Sequence, residues 1–167
     1  KVAIEQAISD VNSYLQTRGA NYEFSSVVYD TKLDTATALK SVKEATAAGI
    51  KYFIGPQSSA ELGAIREYVS SNKLLVVSQG STASSLAIPN DGIFRFCPGD
   101  SIEGAAVAVS IRAFGCQNLI TIARDDAGNK GLQRSVAAKF ASMGGNSISL
   151  TPYSTTQTDF SGLLATL

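Results

Sequence analysis

The chain has 167 residues, 44% of them hydrophobic and 17% charged, with Lys plus Arg and Asp plus Glu balanced at 14 each. That balance excludes the basic face that nucleic-acid backbone binding demands, and no apolar run approaches the roughly 20 residues needed to span a bilayer. The absence of histidine and tryptophan removes the commonest metal ligand and the commonest general base, which weighs against catalysis and leaves no metal or cofactor to expect.

Lys1 to Arg18 places Val2, Ala3, Ala7, Ile8, Val11, Tyr14 and Leu15 at the three-and-four spacing of an amphipathic helix, with Gly19 as its stop. Tyr22 to Tyr29 is aromatic and β-branched and reads as a strand, followed by the turn Asp30-Thr-Lys-Leu-Asp34, whose Asp34 caps a helix running to Gly49. A strand over 51–54 leads to a helix over 59–71, opened by the capping box Ser58-Ser-Ala-Glu61. A strand over 74–78 then runs into a short helical or turn segment around Ser81 to Leu86. Pro89-Asn90-Asp91-Gly92 is the clearest break, and Ile93 to Cys97 follows it as a strand ending at Pro98-Gly99. Asp100-Ser-Ile-Glu103 is a second capping box, opening an Ala-rich helix that ends near Gly115. Leu119 to Ala123 and Ser147 to Thr151 read as strands around a helix from Asn129 to Met143, and Asp159 caps a last helix running into Leu167.

Strict alternation of strands and helices, with near-continuous apolar strands, predicts an α/β fold of doubly wound parallel sheets covered by helices. Such a lobe begins with a strand, whereas this chain opens on a helix at Lys1 without Met and stops within another at Leu167. It reads as a piece of something longer, incomplete at both ends, which could self-associate through an exposed sheet.

Two strand ends carry the same device. Phe53-Ile-Gly-Pro-Gln-Ser-Ser59 leaves a strand through Gly-Pro into hydroxyls at a helix start, and Ser78-Gln-Gly-Ser-Thr82 repeats glycine followed by hydroxyls about twenty residues on. Helix starts present unpaired N–H groups and a positive dipole end, and ligands of open parallel sheets sit beyond the carboxyl ends of the strands. Ser58, Ser59, Gly80, Ser81 and Thr82 are therefore candidates for gripping a carboxylate or other small anion. The ordinary alternative is that hydroxyls at helix starts simply cap them, which fits Ser58 best.

With these segments in view, the chain resembles the type I periplasmic binding proteins, and within them the branched-chain amino acid (Leu/Ile/Val) receptor family of ABC transporters. The likeness rests on the Ala3–Asn12 helix, Tyr29-Asp30, Phe53 to Ser59, Val77-Ser78 with Ser81-Thr82, Phe94-Arg95, and Asp159-Phe160, in that order. It implies two Rossmann-like lobes closing about a hinge on a small solute, with residues 1–96 forming most of the first lobe and 97–167 the start of the second. It further implies that Ser59 and Ser81-Thr82 hold the ligand's carboxylate, that the protein is not an enzyme, and that it works outside the cytoplasm with a membrane permease as partner, anchored to the membrane or free. The family's aromatic residue after the first strand of the second lobe is replaced here by Gly128, so no ring would lie on an apolar side chain.

Asp125 and Asp126 follow that strand; adjacent carboxylates on a turn are usually solvated, though Asp126 could face a ligand's ammonium group. Tyr29 and Asp30 end a strand beside the expected cleft. Arg95 reads as structural. The glycines Gly55, Gly80, Gly128 and Gly131 lack dinucleotide-binding spacing. Cys97 and Cys116 flank a helix of about 14 residues, roughly 20 Å at 1.5 Å per residue, so they read as separate thiols rather than a disulfide. The same lobes would serve the ligand-binding ectodomain of a sensory receptor or the effector-binding core of a transcriptional regulator. An enzyme on a related sheet is disfavoured by the lack of histidine and of a Gly-x-Ser-x-Gly elbow.

Overall fold

The computed structural model describes residues 1–166. The chain divides into two compact units, Lys1–Asp30 and the remainder from Thr31 onward. In the first, α1 (Val2–Thr17) forms as its periodicity predicts, yet none of its residues is buried. Past Gly19 the chain doubles back, and the Asn12 side chain ties it down: Nδ2 donates to Phe24 O at 2.8 Å and Oδ1 accepts from Phe24 N at 2.7 Å. The expected strand over 22–29 is not formed. The segment carries no ladder, since a single extended run becomes a strand only where another strand's N–H and C=O groups face it.

The second unit holds α2 (Thr35–Ala47), β1 (Tyr52–Ile54), α3 (Ser59–Ser71), β2 (Leu75–Ser78), a single 3-10 turn (Ser84–Leu86), β3 (Ile93–Arg95), α4 (Asp100–Ala113), β4 (Asn118–Thr121), α5 (Ala127–Ser142), β5 (Asn146–Ser149) and α6 (Ser161–Leu164). Asp34 caps α2 as predicted, accepting from Thr37 N at 2.7 Å, and α2 is followed by Gly49 at φ +88°, a conformation glycine adopts without strain. These hydrogen bonds from the Thr37 hydroxyl and N–H hold the Asp34 carboxyl below the usual carboxylate range.

All strand pairing is parallel. β1, β2 and β3 form one sheet in that order, with Phe53 opposite Val76 and Val77 opposite Phe94, and β4 pairs with β5 in a second sheet, Leu119 opposite Ser147. Helices α2 and α3 cover one face of the first sheet through a core of Ala38, Val42, Leu62, Ile65, Val69, Leu74 and Val76. The second core centres on Ala108, Val136 and Phe140, where α4 and α5 pack together. Apolar residues of the sheets that do not face these cores, among them Tyr52, Ile54, Phe94 and Ile148, are exposed.

Neither predicted capping box closes. Ser58 is the N-cap of α3 by its extended backbone but makes no side-chain cap bond, and Glu61 lies on the buried face with Leu62 and Ile65, its Oε1 without a partner among the described residues. Helix α4 starts one residue earlier than the second box requires: Gly99 is the cap, Asp100 is the first helical residue, and its side chain is buried instead of reaching along the helix start. The last helix is capped near the predicted place, with Asp159 Oδ1 accepting from Ser161 N at 2.9 Å; Leu167 lies outside the described residues.

The contact between α4 and α5 is close because Gly104 has no side chain. A Cβ there would stand 2.6 Å from Ser135 Cβ and 2.8 Å from Val136 N, a backbone atom that cannot swing aside. Gly104→Ala is therefore expected to destabilise the fold by about 1–3 kcal/mol, read from the midpoint of urea unfolding, while a Ser135→Gly background should recover part of the loss.

Candidate functional site

Both turns singled out in the sequence lie at the carboxyl ends of adjacent parallel strands, β1 and β2, and the side chains between them interlock. Ser78, fully buried at the end of β2, donates from Oγ to Pro56 O at 2.6 Å and accepts from Ser81 N at 3.2 Å. Ser81 Oγ donates to Ser59 Oγ at 3.0 Å, and Ser59 Oγ also accepts from Ala83 N at 3.3 Å. Both Ser59 and Ser81 are buried. Ser81 has thus spent its proton inside the protein, whereas the Ser59 hydroxyl accepts twice and keeps its own proton to donate.

Thr82 is half-buried, and its Oγ1 has no protein partner among the described residues. Its carbonyl accepts from Asp100 N at 2.9 Å, which ties the turn to the start of α4. Gly80 leaves room for the Gln57 side chain, whose Cγ would lie 2.5 Å from a Cβ at that position. Ser58 supplies α3 with a carbonyl acceptor for Leu62 N at 2.9 Å and does not join the hydroxyl cluster. Arg95 is structural, as read from the sequence: its guanidinium donates to Ala83 O at 2.6 Å and holds the far side of the turn. Cys97 Sγ donates to Ser81 O at 3.2 Å, and both cysteines are free thiols. Ser78 and Ala83 are members of this hydrogen-bonded cluster that sequence reading did not assign to the site; the signal for Ser78 was a hydroxyl closing a buried Leu-Val-Val run.

Asp126 is more than a solvated turn residue. It caps α5, with Oδ1 accepting from Asn129 N at 2.9 Å and Oδ2 from Arg124 Nε at 2.5 Å, and Asn129 Nδ2 reaches both oxygens at 3.0 and 2.8 Å. Asp125 instead pairs with Lys130 at 2.5 Å. Two residues past Asp126, Gly128 brings the first turn of α5 against the hydroxyl cluster, where a Cβ would lie 3.3 Å from Ser59 Oγ. The starts of α3 and α5 therefore converge on Ser59, and both helix dipoles present their positive ends there. Tyr29 and Asp30 fall in the first compact unit.

Strands ending at polar turns, parallel sheets under helices and hydroxyls gathered at the sheet's carboxyl edge define an α/β binding fold of the type I periplasmic kind. The chain belongs to the periplasmic binding protein family, whose sequence profile matches residues 1–167. An uncharacterised protein of Methanocaldococcus jannaschii is 33% identical over 168 residues, which cover 97% of this chain and 40% of that protein. The leucine-binding protein LivK of Thermotoga maritima superposes with a TM-score of 0.81 at 24% identity, over 87% of this chain and 42% of that one. A solute-binding protein of an ABC transporter from R. palustris, crystallised with 4-hydroxybenzoate, superposes at 0.72 with 15% identity, over 80% of this chain and 36% of that one. The chain thus spans less than half the length of these relatives, and the likeness to the solved structures concerns the fold. The family is one of solute-binding proteins acting outside the cytoplasm; no helix among the described residues is long and apolar enough to cross a membrane.

Burial pushes the Asp126 carboxyl up, but the bonds from Asn129 and Arg124 together with the Arg124 charge outweigh it and hold the group below the usual carboxylate range. A carboxylate lowered in the folded state stabilises the fold above its unfolded pKa of about 4, and that contribution is lost as pH falls through the folded value. Asp126→Asn should accordingly be less stable than the parent at pH 7 and converge on it below about pH 4, in thermal melts across that range.

Proposed function

We propose that the chain supplies the facing parts of the two lobes of an extracytoplasmic solute-binding protein of an ABC transporter, which captures a small amino acid or related carboxylate by hinge closure without catalysing a reaction. Residues 1–96 would belong to the first lobe and 97–167 to the second. The observation that carries this reading is the pair of hydroxyls with donor capacity to spare, Ser59 and Thr82, which parallel pairing of β1 and β2 brings to one edge under the start of α3. A carboxylate there would accept two charge-assisted hydrogen bonds in a site already biased toward anions by helix N-termini. LivK is named for leucine and the R. palustris protein holds 4-hydroxybenzoate, compounds that share a carboxylate and little else.

The placement of α5 supports closure. The first lobe holds the carboxylate in either state, while the Gly128 turn adds contacts only when it lies over Ser59, so the solute shifts the population toward the closed form. The closed form would then dock on the membrane permease.

Ser59→Ala combined with Thr82→Ala is expected to weaken solute binding by roughly 2–4 kcal/mol with the fold retained, since two hydrogen bonds to a charged group are lost. Titration calorimetry against amino acids and small carboxylates reads the effect, and an unchanged affinity in the double variant would overturn the assignment.

A further inference from the structure

A cavity of about 350 Å³ lies where the 3-10 turn that follows Thr82 meets α4 and α5, and no aliphatic or aromatic side chain lines it. Ser84 and Ser85 come from the 3-10 turn just beyond Thr82, Asp100 and Ser101 from the start of α4, and Arg134 and Ser135 from α5 one turn past Gly131. Four hydroxyls and charges of both signs thus face one space, in contrast to the apolar lining usual for small-molecule pockets.

Asp100 is the informative member. It is 1% exposed, its N–H is held by Thr82 O, and neither carboxyl oxygen has a partner among the described residues. Its carboxylate lies so close to Gly131 that a Cβ there would overlap Oδ2, so the absence of a side chain on α5 is what admits it. A buried carboxyl group without donors is costly, and a bound molecule bearing N–H or O–H groups would supply what the protein withholds.

From this lining we infer that the solute's body is polar: a small carboxylate whose side chain carries hydroxyl or amide groups, in preference to a branched aliphatic one. Its carboxylate rests on Ser59 and Thr82, as in the function proposed above, and its side chain enters the serine-lined cavity toward Asp100. An aliphatic side chain in that cavity would leave Asp100 and the hydroxyls unpaired, which is the circumstance in which hydrogen-bonding sites discriminate most strongly.

Two matched pairs of probes test this on the full chain by titration calorimetry: L-asparagine against L-leucine, similar in shape, and glycerate against isovalerate. The polar member of at least one pair should bind at least about tenfold tighter than its counterpart. Asp100→Asn should remove most of that preference, and Ser101→Ala, at an exposed position, should reduce it in the same direction without threatening the fold. Tighter binding of the aliphatic member, or a preference that survives both substitutions, would overturn the inference while leaving carboxylate capture standing. Failure of all four probes and of the wider panel to bind would overturn both.

Discussion

Parallel pairing of Tyr52–Ile54 with Leu75–Ser78 is the constraint on which the site depends. It sets two loops 22 residues apart in sequence side by side, so that Ser81 Oγ reaches Ser59 Oγ across the gap and Ser78 Oγ reaches Pro56 O beneath it. A slip of one residue would turn Val76 out of the core and move every one of these hydroxyls to the wrong side of its turn. Val76, fully buried, and Phe53 opposite it hold the register through their packing under α2 and α3. The polar cluster is therefore positioned by apolar burial a few residues away, the stronger and less directional of the two forces.

A chain of internal bonds then distinguishes the hydroxyls consumed within the two turns from those that keep donor capacity. Ser78 and Ser81 are consumed by the turn, Arg95 and Cys97 brace its carbonyls, and Thr82 anchors α4 by its backbone while its side chain stays unengaged. The proposed site needs both populations, since donors free to meet a ligand are held in place only if their neighbours are not free to move. Asp126 does comparable work on the other side: as the cap of α5 it orders the turn that carries Gly128.

Small residues do for α4 and α5 what the serines do for the turns. Gly104 lets the two helices approach at Ser135, and Gly131 admits the Asp100 side chain, so a carboxyl group is enclosed where a larger residue would have excluded it. In ordinary helices glycine is a weakness; here it sets the distance between helices and the chemistry of the space they enclose.

Local chemistry determined much of this protein from sequence alone: the helix periodicities, the Asp34 cap, the stop at Gly49, the alternation that demands a parallel sheet, and the two glycine-hydroxyl turns are all written in spans of a few residues. The same local logic singled out the candidate serines and Thr82, because strand ends and helix starts have fixed polar needs. Whether residues 22–29 form a strand was not, since a strand exists only by virtue of a partner. Nor was the inward turn of Glu61 and Asp100 out of their apparent capping boxes, or the commitment of Asp126 to Arg124 and Asn129. Each of these depends on which neighbours packing brings within about 3 Å, and a hydrogen bond is a short-range choice among partners that only the assembled tertiary structure places within reach.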